Sequence, residues 1–158
     1  MKASQFVLFF AFVALLGFSS CSKKSDDVTP DPATVVGFKV KVDGKVYAPD
    51  YAYALAESPG TANYYTIYGL DSKTSDVIAI ALPNTLGEGT HPINATNFGI
   101  VNYNKEELST VNGGTGTVTI TKKTATQIMG TFSFTAQDAT GKITRTLTEG
   151  SFNVNVRN

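Results

Sequence analysis

The fold is decided between Gly116 and Val156, by GTVTIT at Gly116–Thr121, QIMGTFSFTA at Gln127–Ala136 and ITRTLTEGSFNVNV at Ile143–Val156. The hydrophobic period throughout is two. Val118 and Ile120 oppose Thr117, Thr119 and Thr121. Ile128, Phe132, Phe134 and Ala136 oppose Thr131, Ser133 and Thr135. Ile143 and Leu147 alternate with Thr144, Thr146 and Thr148, and Phe152, Val154 and Val156 with Asn153, Asn155 and Arg157. Successive side chains of a strand point to opposite faces, so each segment has one dry face and one wet face. An antiparallel meander requires that pattern. Thr suits the wet face because its β-branch favours extended backbone while its hydroxyl tolerates water. Ala139–Lys142 (ATGK) reads as a turn.

The same period continues towards the amino end. Phe38, Val40 and Val42 alternate with Lys39 and Lys41, and Asp43-Gly44 is a dipeptide favoured in two-residue hairpin turns. Lys45–Tyr47 starts a return strand that Pro49 stops. Tyr64–Leu70 (YYTIYGL) is aromatic and β-branched, Asp71–Asp76 (DSKTSD) is a polar turn, and Phe98–Tyr103 is a further strand. Val77–Leu82 (VIAIAL) is apolar on both faces, which places it centrally in a sheet. Lys105–Val111 (KEELSTV) is the one helix-like stretch, too short to hold alone. About 8–10 short strands fit between Val35 and Asn158. An open sheet of that size would expose its apolar face, so it must fold over or close. The expected class is all-β: an antiparallel sandwich, or a strongly curved meander or barrel, with very little helix.

Thirteen Lys+Arg balance 13 Asp+Glu, which excludes a polybasic nucleic-acid surface as the main theme. The chain has one Cys and one His, too few for an internal disulfide and a poor basis for a zinc site. No cofactor or metal is expected, and burial of the alternating set must stabilise the domain alone.

Residues 1–20 have the layout of a secretory signal: Lys2, an unbroken apolar run from Phe6 to Phe18, then Ser19 and Ser20 before Cys21. The run spans 13 residues, short of the roughly 20 that a membrane-crossing helix needs. Leu16-Gly17-Phe18-Ser19-Ser20-Cys21 resembles a bacterial lipoprotein processing box, with Phe18 where that family usually has Leu. The resemblance implies cleavage before Cys21, diacylglycerol on its thiol, and a location in the cell envelope as an outer-membrane lipoprotein. One lipid chain holds a protein marginally and two or three hold it firmly, so such an anchor replaces a spanning helix. Ser22–Thr34 (SKKSDDVTPDPAT) is polar and Pro-containing and reads as a flexible tether reaching at most ~40 Å. Lys23, Lys24, Asp26 and Asp27 resemble an export tag of surface-displayed Bacteroidota lipoproteins. They equally suit plain solvation of a linker, so both the periplasmic and the outward face stay open.

The segments GTVTIT, GTFSFTA (Gly130–Ala136) and GSF (Gly150–Phe152), with an opening strand ending in Asp43-Gly44, resemble small Bacteroidota lipoproteins whose single all-β domain has no assigned function. The resemblance spans nearly all of Phe38–Val154. It implies location and fold class and carries over no catalytic or binding residue.

Few residues invite chemistry. His91 lies in a turn-rich stretch without local partners, and no Gly-x-Ser-x-Gly elbow accompanies it. Glu106-Glu107 and Asp71/Asp76 are the closest carboxylate pairs, but a glycosidase needs two carboxylates facing one another across a cleft. Asn112–Gly116 (NGGTG) lacks the Lys and the following helix of a phosphate loop. All seven tyrosines, by contrast, precede residue 104. Clustered on one sheet face, with Tyr64 and Tyr68 foremost, they would either stack on a sugar ring or ligand, or pack on one another across strands. No catalytic set emerges. The expected function is therefore a non-enzymatic binding or scaffolding domain held at a membrane by lipid on Cys21, its glycan or protein partner open. The alternatives are a barrel-type small-ligand carrier with a dry interior cavity, or an envelope hydrolase.

Overall fold

The computed structural model describes residues 37–57 and 63–157. The expected signal at 1–20, Cys21 and the tether at 22–34 lie outside the described residues.

Eleven strands occur, and no helix among the described residues. They are β1 (Gly37–Val42), β2 (Lys45–Tyr47), β3 (Tyr51–Leu55), β4 (Tyr64–Leu70), β5 (Val77–Pro83), β6 (Gly89–Ile93), β7 (Phe98–Tyr103), β8 (Glu106–Ser109), β9 (Gly116–Lys123), β10 (Gln127–Gln137) and β11 (Thr144–Arg157). Hydrogen bonding orders them β2-β1-β11-β3-β4-β5-β7-β8-β10-β9-β6, and a further β10–β11 ladder closes the sheet on itself. The result is two faces, β2-β1-β11-β10-β9-β6 and β3-β4-β5-β7-β8. They are stitched by the parallel pairs Val156↔Ala54 and Arg157↔Leu55 on one side and by Gln137↔Ser109 on the other. Both expected architectures meet here: a sandwich whose long edges are joined is a flattened barrel.

The core lies between the faces. Phe38 and Val40 of β1, Ile67 of β4, Ile78 and Ile80 of β5, Phe132 and Phe134 of β10 and Phe152 of β11 are all buried in one cluster. Phe132 is its hub, with ring centroids 5.3 Å from Phe38, 5.8 Å from Phe134 and 6.3 Å from Phe152. Two glycines admit aromatic rings from the opposite face. A Cβ at Gly69 would lie 2.5 Å from the Phe38 ring, and one at Gly99 would lie 2.5 Å from the Phe134 ring.

Three expectations need correction, and one open stretch finds its place. Strands number eleven, because β3, β6 and β8 carry weak alternation. The sheet is mixed, since β11 runs parallel to β3. The helix-like Lys105–Val111, too short to hold as a helix, contains β8, which returns from β7 through Asn104-Lys105, both at positive φ (52° and 66°). That is the two-residue hairpin geometry of Asp43-Gly44, reached here without glycine. The two segments from Ile143 to Val156 are one 14-residue strand, β11. A bulge at Glu149 (φ 53°) switches its parity, so that Leu147 and Phe152 both face the core.

Candidate functional site

The five-stranded face turns a second surface away from the core, and the register defines it. Tyr53 stands opposite Tyr68, Tyr68 opposite Ala79, Ala79 opposite Ile100, and Ile100 opposite Ser109. Directly opposed residues share a face, so this row crosses β3, β4, β5, β7 and β8 on the outside. The adjacent row is Leu55, Thr66, Ala81 and Phe98. Ile67, Ile78, Ile80 and Val101 have the other parity and enter the core. The sequence produces this because YYTIYGL and VIAIAL are strand-forming and apolar at both parities.

Size alternates across the surface. β5 contributes Ala79 and Ala81, which at 1% and 2% exposed are covered by the larger side chains on either side. Tyr64 and Tyr68 rise from β4 on one side, and Phe98 and Ile100 from β7 on the other. Tyr68 stacks on Tyr53 (centroids 5.1 Å, 25° between planes), and the Arg157 guanidinium lies 4.5 Å over Tyr53. Tyr64 meets Phe98 at 5.8 Å. Tyr53, Tyr64 and Tyr68 thus pack across strands, and all four outer tyrosines, Tyr51 among them, keep solvent-accessible surface. β5 is central, as its double-sided apolarity requires.

Beyond Ile100 the surface turns polar. Phe98, Ile100, Asn102, Glu107, Ser109 and Asn112 border a shallow depression of about 320 Å³. Asn102 and Glu107 also border a second depression of about 270 Å³, shared with Ser75 and Lys105. The Asn112 amide donates to the Gln137 carbonyl (3.3 Å), and the Ser109 hydroxyl accepts from the Val111 N–H (3.1 Å).

The other candidates have structural roles. Glu106 and Glu107 are adjacent on β8 and point to opposite faces. Glu106 accepts a forked pair from Arg145 (Nε and Nη2, 2.7 Å each), whose Nη1 reaches Asp43 (2.9 Å). Asp71 accepts from the N–H groups of Lys73 and Thr74, and Asp76 from that of Asn104, so both order turns. His91 sits on the terminal strand β6 with Nε2 2.9 Å from the Gly87 carbonyl. Among the described residues no group of three His, Cys, Asp or Glu is placed to hold a metal ion. Tyr47 is buried, its hydroxyl within reach of the Gly69 and Asp76 carbonyls (3.0 and 2.8 Å), and burial raises its pKa. Lys123 donates to the Asn84 and Leu86 carbonyls (2.7 Å each) with its ammonium 4.6 Å over Tyr65, and burial lowers its pKa.

The sequence pattern marks Tyr64 and Tyr68 but not Tyr53, Asn102 or Glu107 as their neighbours. Parity within YYTIYGL separates Tyr64 and Tyr68 from Tyr65; strand order, which no local pattern encodes, brings in the rest.

Fold and surface together define an all-β module with a filled interior and an aromatic outer face. Residues 35–156 match the family described as Domain of unknown function (DUF6252), and the chain belongs to it. No curated protein and no solved structure matches the chain.

Proposed function

We propose that this protein is a lipid-anchored, non-enzymatic binding module of the bacterial cell envelope. In this reading Cys21 carries the lipid, residues 22–34 are the leash, and the outer-membrane surface is the immediate partner. The lipoprotein-like Leu16–Cys21 segment and the likeness to small Bacteroidota lipoproteins support the location. One observation carries the binding role: the outer face of β3-β4-β5-β7-β8 groups Tyr53, Tyr64, Tyr68 and Phe98 away from the core that stabilises the fold. Aromatic surface that folding leaves outside the core, with polar groups at one end, is the composition of a ligand site. A carrier with an internal ligand is disfavoured, since Phe38, Phe132, Phe134 and Phe152 fill the space between the faces.

The test is fractionation of cells expressing the full chain, with intact-mass analysis of the recovered protein. The reading expects a mature chain beginning at Cys21, heavier by its acyl groups and retained in the membrane fraction, and a Cys21→Ala chain lacking both properties. An unmodified Cys21 thiol on membrane-recovered protein would contradict it.

A further inference from the structure

We propose that Asn112-Gly113 is a site of spontaneous covalent modification: the Gly113 amide nitrogen attacks the Asn112 side chain, and the aspartate and isoaspartate that result loosen the bridge joining β8 to β10. The chemistry needs only water and is independent of the anchoring and binding readings.

Asn112 is the one asparagine of the chain that glycine follows. Three observations make the pair reactive in the folded protein. First, the fold itself calls for glycine at 113. The residue sits at φ 145°, a backbone conformation that favours glycine, and a Cβ there would run into the Gln137 side chain. No side chain therefore obstructs the approach of its nitrogen to Asn112. Second, that nitrogen is free. The Gly113 N–H makes no hydrogen bond among the described residues, so no acceptor holds its proton. Third, the electrophile is reached by water and held loosely. Asn112 is exposed, and its side chain donates one long hydrogen bond to the Gln137 carbonyl (3.3 Å). Asp43-Gly44 has the same neighbour without these features. The Asp43 carboxylate accepts from the Arg145 guanidinium and the Thr146 N–H (2.9 Å each), and an ionised carboxylate is a poor electrophile.

The step balances with water and hydroxide alone. Hydroxide takes the Gly113 proton, and the nitrogen forms a bond to Asn112 Cγ. The Cγ–Nδ2 bond breaks, and the amide nitrogen leaves as ammonia, taking a proton from water and restoring the hydroxide. Water then opens the five-membered imide. Cleavage at Cγ gives aspartate. Cleavage at the main-chain carbonyl carbon gives isoaspartate, whose backbone runs through Cγ and is longer by a methylene.

Both products act on one seam. Gln137↔Ser109 is the pairing of β8 with β10, and the Asn112 amide braces it from the side. A carboxylate offers the Gln137 carbonyl no proton. It also adds negative charge to the depression that Glu107 borders. Isoaspartate lengthens a loop that is pinned at both ends. The Thr110 N–H donates to the Gly99 carbonyl (3.0 Å), and the Thr135 N–H to the Thr115 carbonyl (2.9 Å). The added methylene has to be absorbed between those pins.

The experiment ages the mature Cys21→Ser chain at neutral and mildly alkaline pH and follows the tryptic peptide Glu106–Lys122, whose only asparagine is Asn112. Two new forms of that peptide are expected, each heavier by the exchange of NH for O, with isoaspartate the more abundant, at a rate that rises in proportion to hydroxide. The aged chain should unfold at a lower urea midpoint than the fresh one. Asn112→Gln, which would have to close a less favourable six-membered ring, should keep its mass and its midpoint over the same period. Persistence of Asn112 in the folded chain, under conditions that convert the same peptide excised by trypsin, would overturn the proposal, because the fold would then protect the pair. Conversion at Asn112 with an unchanged midpoint would overturn the link to the seam. Lipid on Cys21 is read separately by mass, so neither result bears on the envelope-anchor reading.

Discussion

Replacing Gly69 by Ala tests the closeness of the two faces. The added Cβ would sit 2.5, 2.7 and 2.9 Å from three atoms of the Phe38 ring. Carbon atoms rest at about 3.5–4.0 Å, so something must retreat by about 1 Å. The backbone of β4 is held on both sides, by Ala52↔Gly69 and Gly69↔Ile78. The ring must therefore move, and Phe38 is only 5% exposed with Phe132 5.3 Å behind it. Overpacking of this kind costs about 1–3 kcal/mol. Removing a glycine also restricts the unfolded chain, which offsets roughly 0.4–1 kcal/mol. The net expectation is a loss of about 1–2 kcal/mol, measured by urea unfolding of the mature Cys21→Ser chain. A second substitution isolates the contact. Phe38→Leu alone destabilises, but in its background Gly69→Ala should cost at least ~1 kcal/mol less than in wild type. A Gly69→Ala midpoint equal to wild type, or the same penalty in both backgrounds, would refute the reasoning.

Tyr47→Phe should cost about 1–2 kcal/mol, because it strips the Gly69 and Asp76 carbonyls of their buried donor. The same residue shapes alkaline stability. Its folded pKa lies above the unfolded value of about 10, so the unfolded state releases its proton first, and stability falls as pH rises past that value. Tyr47→Phe should flatten part of that decline in unfolding curves collected between pH 9 and 11. Asp138 is held below its ordinary pKa, first by the Thr140 hydroxyl and then by the Ile143 N–H, so its carbon resonance should titrate below that of an aspartate in an unfolded chain. Its contribution is present above the unfolded pKa and disappears as pH drops through the folded one, which amide exchange at Ile143 should report. Arg145→Lys replaces the fork onto Glu106 with a single donor and should cost about 1 kcal/mol, less at high salt, in denaturation at two ionic strengths.

Much of this architecture is legible along the chain. Alternation in GTVTIT and GTFSFTA gives the inward set Val118, Ile120, Phe132, Phe134 and Ala136, and every one of them is buried. Asp43-Gly44 makes the expected hairpin, with both residues at positive φ (47° and 81°). Legibility fails where the physics is not local. Glu149 occupies a left-handed conformation that no residue pattern marks, so the parity change that fuses two apparent strands into β11 is invisible. Lys105–Val111 looks helical because Glu-Glu-Leu is a good helix former, but pairing of Val101 with Leu108 and burial of both override that preference. The candidate surface is half legible. Tyr64 and Tyr68 follow from parity, but the distance in sequence from Tyr53 to Asn102 is crossed only by strand order.

The tyrosines are divided between an inner and an outer side of one sheet, and hydroxyl-radical footprinting of the ligand-free mature chain reads that division residue by residue. Tyr51, at 54% exposure, should be modified fastest, Tyr53, Tyr64 and Tyr68 measurably, and Tyr47, at 5%, slowest of all. Protection of Tyr53, Tyr64 and Tyr68 to the level of Tyr47 would contradict it, because the face proposed to bind would then be covered in the protein itself.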